Sequence, residues 1–270
     1  NQAWKSVASS VDGTKLVAVV SNGQIHTSND SGFTWVSRDS VRNWSCVASS
    51  ADGTKLVAAV QGDKIYKSID SGATWSVAYF FEAQWNAISS SSSGDRLLAS
   101  SGANLFISSD SGSSWSIPSG GDVRNGNGSG WWSVNMSSDG VTMIASSQSG
   151  LDAGIYVSKD GGAYWTARYR PISTYVACSA DGSMIVVAGF VSRDSGQSWS
   201  QRDMPGSRFA LSADGSKVVS VGSQIYTSSS DTTAGSTGYL RGQSSSSIEL
   251  QYIGNGRFLP LGCLGTLYPY

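Results

Sequence analysis

The stretch Ser68–Trp75 reads SIDSGATW, and its spacing of serine, aspartate, glycine and tryptophan returns along the chain. Four more copies keep all four residues: SNDSGFTW at 28–35, SSDSGSSW at 108–115, SKDGGAYW at 158–165 and SRDSGQSW at 192–199. A sixth copy, which begins at Ser228, keeps its aspartate but lacks the glycine and the tryptophan. We call this pattern the octet. Successive octet aspartates are 40, 40, 50, 34 and 37 residues apart, and this regularity indicates a structural repeat.

A second motif runs in phase with the octets. An Asp-Gly pair occurs at 12–13, 52–53, 139–140, 181–182 and 214–215, and Ser93-Gly94 takes its place in the third unit. In the second unit, the segments Trp44–Ser50, Lys55–Val60 and Lys64–Ser68 are separated by turn residues, and Trp75 opens a last segment. This pattern predicts four short antiparallel strands. Repeated four-stranded units of about 40 residues predict an all-β chain that folds as a β-propeller.

The repeats divide the chain into six units and a tail. We expect one propeller domain over residues 1–270, with repeats at approximately 1–40, 41–81, 82–127, 128–169, 170–203 and 204–243. Residues 244–270 form a closing segment that contains a hairpin with an Asn-Gly turn. Six blades are the preferred interpretation, and a short seventh blade made by this hairpin is the alternative. In the fifth unit no turn is obvious between Met184 and Phe190, so either its hairpin is minimal or residues are missing.

The octet resembles the Asp-box, which is also called the BNR or sialidase-type repeat. In that family the box is a structural hairpin between the third and fourth strands of a blade. The resemblance therefore implies a structural role for the octet aspartates Asp30, Asp70, Asp110, Asp160 and Asp194. A sialidase would also need an arginine triad, a Tyr-Glu pair and an acidic aspartate. With Glu82 and Glu249 as its only glutamates and no Arg-Ile-Pro motif near its start, this chain is not a sialidase by its residues.

Composition excludes several classes of function. The net charge is −1 and no basic run occurs, so no footprint for nucleic acid is present. No stretch of 18 apolar residues predicts a membrane span. One histidine and three cysteines (Cys46, Cys178 and Cys263) without ligand spacing predict no metal site, and we expect no cofactor. Abundant serine and glycine, few lysines and a start without methionine favour an extracellular or cell-surface location.

The loops that join one blade to the next are expected to meet at one mouth of the central channel. These connectors hold most of the arginines together with Tyr79, Phe80 and Phe81, and several lead into a tryptophan. Aromatic rings stack on the apolar faces of sugars, and guanidinium groups bind carboxylate or sulfate. The candidate ligand-binding residues are Trp44, Trp85, Trp131, Arg42, Arg124 and Arg170. The alternative is that the tryptophans fill the wedge between blades and that the arginines are solvated or bridge blades.

These features predict a non-catalytic recognition module, a lectin-like propeller whose partner is a neutral or anionic carbohydrate or glycoconjugate. One alternative is a scaffold that binds another protein. Another is a glycosidase or lyase that acts on polysaccharide with Asp122, Glu82 or Asp203 near the mouth. A glycosidase requires two carboxylates that converge at roughly 5–9.5 Å.

Overall fold

The computed structural model describes residues 2–123, 125, 130–148, 153–169, 175–202, 206–222, 225–229, 240–242, 247–252, 258–264 and 267–269. Every regular element in these ranges is a β-strand. Accordingly, none of them contains a helix with the length and apolar character that a bilayer crossing requires. The predicted all-β class is confirmed.

The strands follow the repeats in chain order. The first sheet contains β1 (Trp4–Ser9), β2 (Leu16–Val20), β3 (Gly23–Ser28) and β4 (Val36–Arg42). The second contains β5 (Trp44–Ser49), β6 (Leu56–Val60), β7 (Asp63–Ser68) and β8 (Ser76–Ala83). The third contains β9 (Trp85–Ser90), β10 (Leu97–Ser101) and β11 (Leu105–Ser108). The fourth contains β12 (Gly120–Gly121), β13 (Trp131–Met136), β14 (Met143–Ser147), β15 (Gly154–Ser158) and β16 (Tyr164–Tyr169).

Two further sheets and a hairpin complete the chain. The fifth sheet contains β17 (Val176–Cys178), β18 (Ile185–Val187), β19 (Phe190–Ser192) and β20 (Ser200–Gln201). The sixth contains β21 (Arg208–Leu211), β22 (Lys217–Val221), β23 (Ile225–Ser229), β24 (Leu240–Gly242) and β27 (Leu267–Pro269). The strands β25 (Ser247–Tyr252) and β26 (Phe258–Leu264) form a two-stranded sheet of their own.

The arrangement of the sheets is that of a propeller. In each repeat the strands pair antiparallel with their neighbours in sequence. The first strands of the repeats, β1, β5, β9, β13, β17 and β21, pack against one another in succession. We therefore refer to the six repeat sheets as blades, with these six strands as the inner strands.

The third blade departs from the predicted four strands. After its octet, only Ser116 pairs with the third strand, through two backbone hydrogen bonds of 2.8 Å to Ile107. The chain then departs from the third blade, and β12 joins the fourth blade as a fifth strand parallel to β16. Pro118 has no N–H to donate to a ladder, so a strand cannot continue regularly through it. The outer-strand position of the third blade is therefore mostly empty among the described residues.

The fifth repeat has a two-residue hairpin, and the strands of the tail pair in two different places. Only Ala188 and Gly189 separate β18 from β19, and both have positive φ, as the commonest two-residue hairpins require. The hairpin is thus minimal. In the tail, β24 and β27 extend the sixth blade, whereas β25 and β26 pair only with each other.

Each of the five complete octets forms a hydrogen-bonded turn around its aspartate. In the second blade, the Ser68 hydroxyl donates to Asp70 Oδ1 (2.7 Å) and accepts from the Gly72 N–H (2.9 Å). The Thr74 amide and hydroxyl both donate to the same carboxylate, at 2.9 and 2.6 Å. The Trp75 indole N–H closes the turn on the Gly72 carbonyl (3.1 Å). The serine and amide bonds recur at Asp30, Asp110, Asp160 and Asp194.

The Asp-Gly turns use a related arrangement and connect the blades. The Ser50 hydroxyl donates to Asp52 Oδ1 (2.6 Å) and accepts from the Lys55 N–H (3.0 Å). The residue between serine and aspartate then donates its backbone N–H to the corresponding carbonyl of the next blade. These bonds, of 2.6–2.8 Å, run Val11 to Ala51, Ala51 to Ser92, Ser92 to Ser138, Ser138 to Ala180 and Ala180 to Ala213. Both kinds of turn therefore lie at one end of the propeller, with the connectors at the other.

Protonation of the octet carboxylates is expected to weaken the fold. Hydrogen bonds from Thr74 and Ser68 lower the pKa of Asp70 from 3.8 to about 2. Because the folded-state pKa is depressed, this stabilisation is complete above the unfolded pKa and is lost as the pH falls toward 2. The free energy of urea unfolding should therefore decrease between about pH 4 and pH 2, and less steeply in Asp70→Asn. Thr74→Val should move the decrease to higher pH, and an unchanged slope in both variants would contradict this account.

Candidate functional site

The three candidate tryptophans do not face the mouth. Trp44, Trp85 and Trp131 begin the inner strands of blades two, three and four, and their side chains are only 0–1% exposed. Each makes an edge contact with an aromatic ring of the third strand of its own blade, with centroids 5.0–5.5 Å apart. The placement differs from the expected exposed stacking platforms because the preceding blade covers each ring. The rings fill the wedge between blades and have no free face for a sugar.

Arg42, the candidate arginine that the structure describes, gives no open anion site. The Arg42 guanidinium lies 4.4 Å from the Tyr66 ring centroid, and its nitrogens are 3.5 Å from Asp39 Oδ2 and 4.0 Å from Asp63 Oδ2. Its charge is therefore balanced by two carboxylates of the chain itself. Arg124 and Arg170 lie outside the described residues.

Two of the three carboxylates of the enzymatic alternative, Glu82 and Asp122, lie in described residues, and their surroundings differ. Glu82 is exposed, 3.9 Å from Lys64 Nζ. Asp122 accepts the backbone N–H of Ala167 at 2.9 Å, and its own N–H bonds to the Trp165 carbonyl, which fastens β12 to β16. Asp203 lies outside the described residues. No cluster of three or more His, Cys, Asp or Glu side chains with metal-binding geometry occurs in the described part of the chain.

A groove lies at the outer side of the seam between blades two and three. Its volume is about 480 Å³. One wall is the segment 77–81 of β8, and the other is the octet of blade three, from Gly112 to Trp115. Lys67, near the end of β7, lies between the two walls. The groove is open to solvent along its length.

Aromatic rings line this groove. Phe80 and Phe81 are 75% and 52% exposed. The Tyr79 ring packs against Phe81, with its centroid 6.2 Å from Phe81, 5.6 Å from Phe106 and 5.9 Å from Trp115. Burial raises the pKa of the Tyr79 phenol, as expected for a ring packed among others. The groove is thus lined by packed aromatic rings together with two exposed ones.

The groove forms beside a long strand of blade two and an interrupted blade three. The strand β8 has eight residues and extends the aromatic run Tyr79–Phe81 past the octet of blade three. Among the described residues, blade three has no regular fourth strand after Ser116, so no outer strand of that blade packs over the run there. In addition, the Trp115 indole N–H is buried without a hydrogen-bond partner, whereas the corresponding group donates to the octet glycine in Trp35, Trp75, Trp165 and Trp199.

The sequence pointed to part of this site. The run Tyr79–Phe81 stands out in a connector. The connector pattern predicts it at the mouth, whereas the structure places it in the groove. Nothing in the sequence singled out Lys67 or Trp115, because their roles depend on contacts between neighbouring blades. For the interrupted outer strand of blade three, the sequence signal is Pro118, which disfavours a regular strand after the third octet.

No protein-family model matches the chain, and no curated protein matches it by sequence. Solved structures match its fold. YCF48 from Cyanidioschyzon merolae superposes with a TM-score of 0.65 at 15% identity, covering 98% of this chain and 94% of that one. YCF48 bound to D1 peptide gives 0.64 at 14% identity, with 98% and 90% covered. These similarities support a shared propeller fold.

Two GH74 enzymes match as well. The Niastella koreensis enzyme has a TM-score of 0.59 at 20% identity over 84% of this chain, and an ancestral GH74 enzyme has 0.61 at 14% over 96%. The chain spans 35% and 38% of their lengths. The matching structures thus include both enzymes and a protein that binds a peptide, so a shared fold does not select a function.

The buried tryptophans are expected to affect stability rather than binding. Trp44→Ala should lower the free energy of unfolding by roughly 3–5 kcal/mol, because a large ring leaves a cavity in the seam. Trp4→Ala, at the same repeat position in blade one but 49% exposed, is the matched control and should cost clearly less. Chemical denaturation of both variants measures the difference. Equal losses would mean that the seam does not depend on this ring.

Proposed function

We propose that this propeller is a non-catalytic carbohydrate-binding module and that a glycan chain lies in the groove between blades two and three. The observation that carries the proposal is the pair of exposed rings, Phe80 and Phe81, that line the groove together with Tyr79 and Trp115. Large exposed aromatic side chains mark binding surfaces. Their flat faces match the apolar faces of sugar rings. On the opposite wall, the Ser113 hydroxyl accepts from Lys67 and can still donate to a ligand, and the Ser114 hydroxyl donates to Asp110 and can still accept from one.

The electrostatics favour binding over acid–base catalysis. A glycosidase needs a carboxylic acid whose pKa is raised, so that it carries a proton at neutral pH. Wherever a carboxyl pKa departs clearly from its ordinary value in the described residues, it is lowered, and each such aspartate accepts hydrogen bonds within a turn or, for Asp95, from Lys55 and Ser111. These groups are stabilised as permanent anions and suit a structural role. The groove itself is lined by no carboxylate.

A peptide is the second candidate ligand. Phe80 and Phe81 have no polar group on their rings, and such side chains also bind apolar peptide residues. YCF48, which has a similar fold over nearly its whole length, occurs bound to D1 peptide. The hydroxyl-bearing wall of the groove is what favours the carbohydrate.

Binding of the purified chain to a glycan array tests the proposal. We expect Phe80→Ala and Phe81→Ala each to weaken binding of a positive glycan by about tenfold, since a stacked ring contributes on the order of 1–1.5 kcal/mol. Phe33→Ala removes an 89% exposed ring in the octet of blade one and serves as the matched control with unchanged binding. A peptide array run in parallel identifies the second candidate. Absence of any glycan binding would reject the proposal.

A further inference from the structure

One position in the groove breaks a rule that the other seams follow. The residue before each octet serine lies on the third strand and packs toward the octet glycine of the next blade. At three seams this residue presents a methyl group: Thr27 toward Gly72, Ile107 toward Gly162 and Val157 toward Gly196. A Cβ on Gly72, for example, would come within 2.7 Å of Thr27 Cγ2. These contacts close the seam with apolar atoms.

At the groove, the corresponding residue is Lys67. Its methylene stem takes the place of the methyl group, since Lys67 Cδ would lie 3.7 Å from a Cβ on Gly112. The stem thus satisfies the packing of the seam, and the ammonium group continues beyond it to the blade-three octet. Long cationic side chains commonly bury their stems and keep the charged end near solvent. A positive charge is therefore held in the wall of the aromatic groove.

The ammonium group of Lys67 is held in place but not neutralised. Its two hydrogen bonds go to neutral oxygens, the Ser111 carbonyl (3.2 Å) and the Ser113 hydroxyl (2.9 Å). An ammonium has three donors, so one N–H has no partner among the described residues. By contrast, Lys55 lies 2.5 Å from an Asp95 carboxylate oxygen, and Lys64 lies 3.6 Å from Asp63. Within the described residues, no carboxylate lies within ion-pair distance of Lys67.

We infer that Lys67 is an anion subsite of the groove and that the preferred ligand is an acidic polysaccharide, one that carries carboxylate or sulfate groups. This inference rests on the proposed carbohydrate function. The exposed rings Phe80 and Phe81 contact the sugar faces, and the free N–H of Lys67 donates to a ligand oxygen. Hydrogen bonds between charged groups are shorter and stronger than neutral ones. Because the site is open to solvent, added salt weakens this contribution.

The test compares acidic and neutral polysaccharides on the full chain. Polygalacturonate supplies carboxylates, dextran sulfate supplies sulfates, and dextran is neutral. Lys67→Met keeps an unbranched stem for the seam and removes the charge. It should weaken binding of an acidic polymer by about tenfold and leave binding of a neutral one unchanged. Lys67→Arg should retain the preference. Lys159→Met removes an exposed lysine from another octet and is the matched control with no effect.

Each outcome has a distinct meaning. If the chain binds neutral and acidic polymers equally, or if Lys67→Met weakens both equally, the anion subsite is rejected and the carbohydrate function stands. If the chain binds no polysaccharide, the proposed function fails. Lys67-dependent binding of acidic peptides without glycan binding would reject the assigned ligand class. Thermal unfolding of each variant is measured alongside, and Lys67→Gln replaces Lys67→Met if the latter does not fold.

Discussion

The serine hydroxyl that bridges a carboxylate and a backbone amide is the interaction on which this fold depends. It donates to the aspartate two residues later and accepts from an N–H four or five residues later. The arrangement occurs at both turns of a blade, as at Ser50 and Asp52 and again at Ser68 and Asp70. Each turn is thereby closed by side chains that are local in sequence. This interaction explains why a chain with so few charges places its aspartates beside serines.

The turns also determine how the blades associate. The Ser71 N–H of the octet donates to the Thr54 carbonyl of the Asp-Gly turn, so the two hairpins of a blade are joined at one end. The backbone bonds from Ala51 to Ser92 and its equivalents then join neighbouring blades at the same end. Apolar packing fills the seams, and the largest buried rings are those of Trp44, Trp85, Trp131 and Trp165. The turn end is thus cross-linked by hydrogen bonds within and between blades.

The groove arises where that framework is interrupted. Blade three keeps its octet turn but releases the chain after Ser116, and blade four takes up β12 as an additional strand. The long β8 of blade two then borders a space that an outer strand occupies in other blades. The same seam carries Lys67 where the others carry a methyl group. A missing strand and one substitution in the packing position therefore coincide, and together they convert a closed seam into an aromatic groove with a positive charge.

The sequence by itself determined the repeat, the order of the strands, the turn chemistry and the structural character of Asp70 and its counterparts. The turns depend on hydrogen bonds that span at most five residues, and the spacing of the turns sets the strand order, so the local pattern contains both. Only the tertiary structure decided that Trp44 is enclosed between blades, that β12 joins β16, and that Lys67 lines the same groove as Phe80 and Trp115. These contacts join residues tens of positions apart, and their geometry follows from the packing of whole blades, which no local pattern encodes.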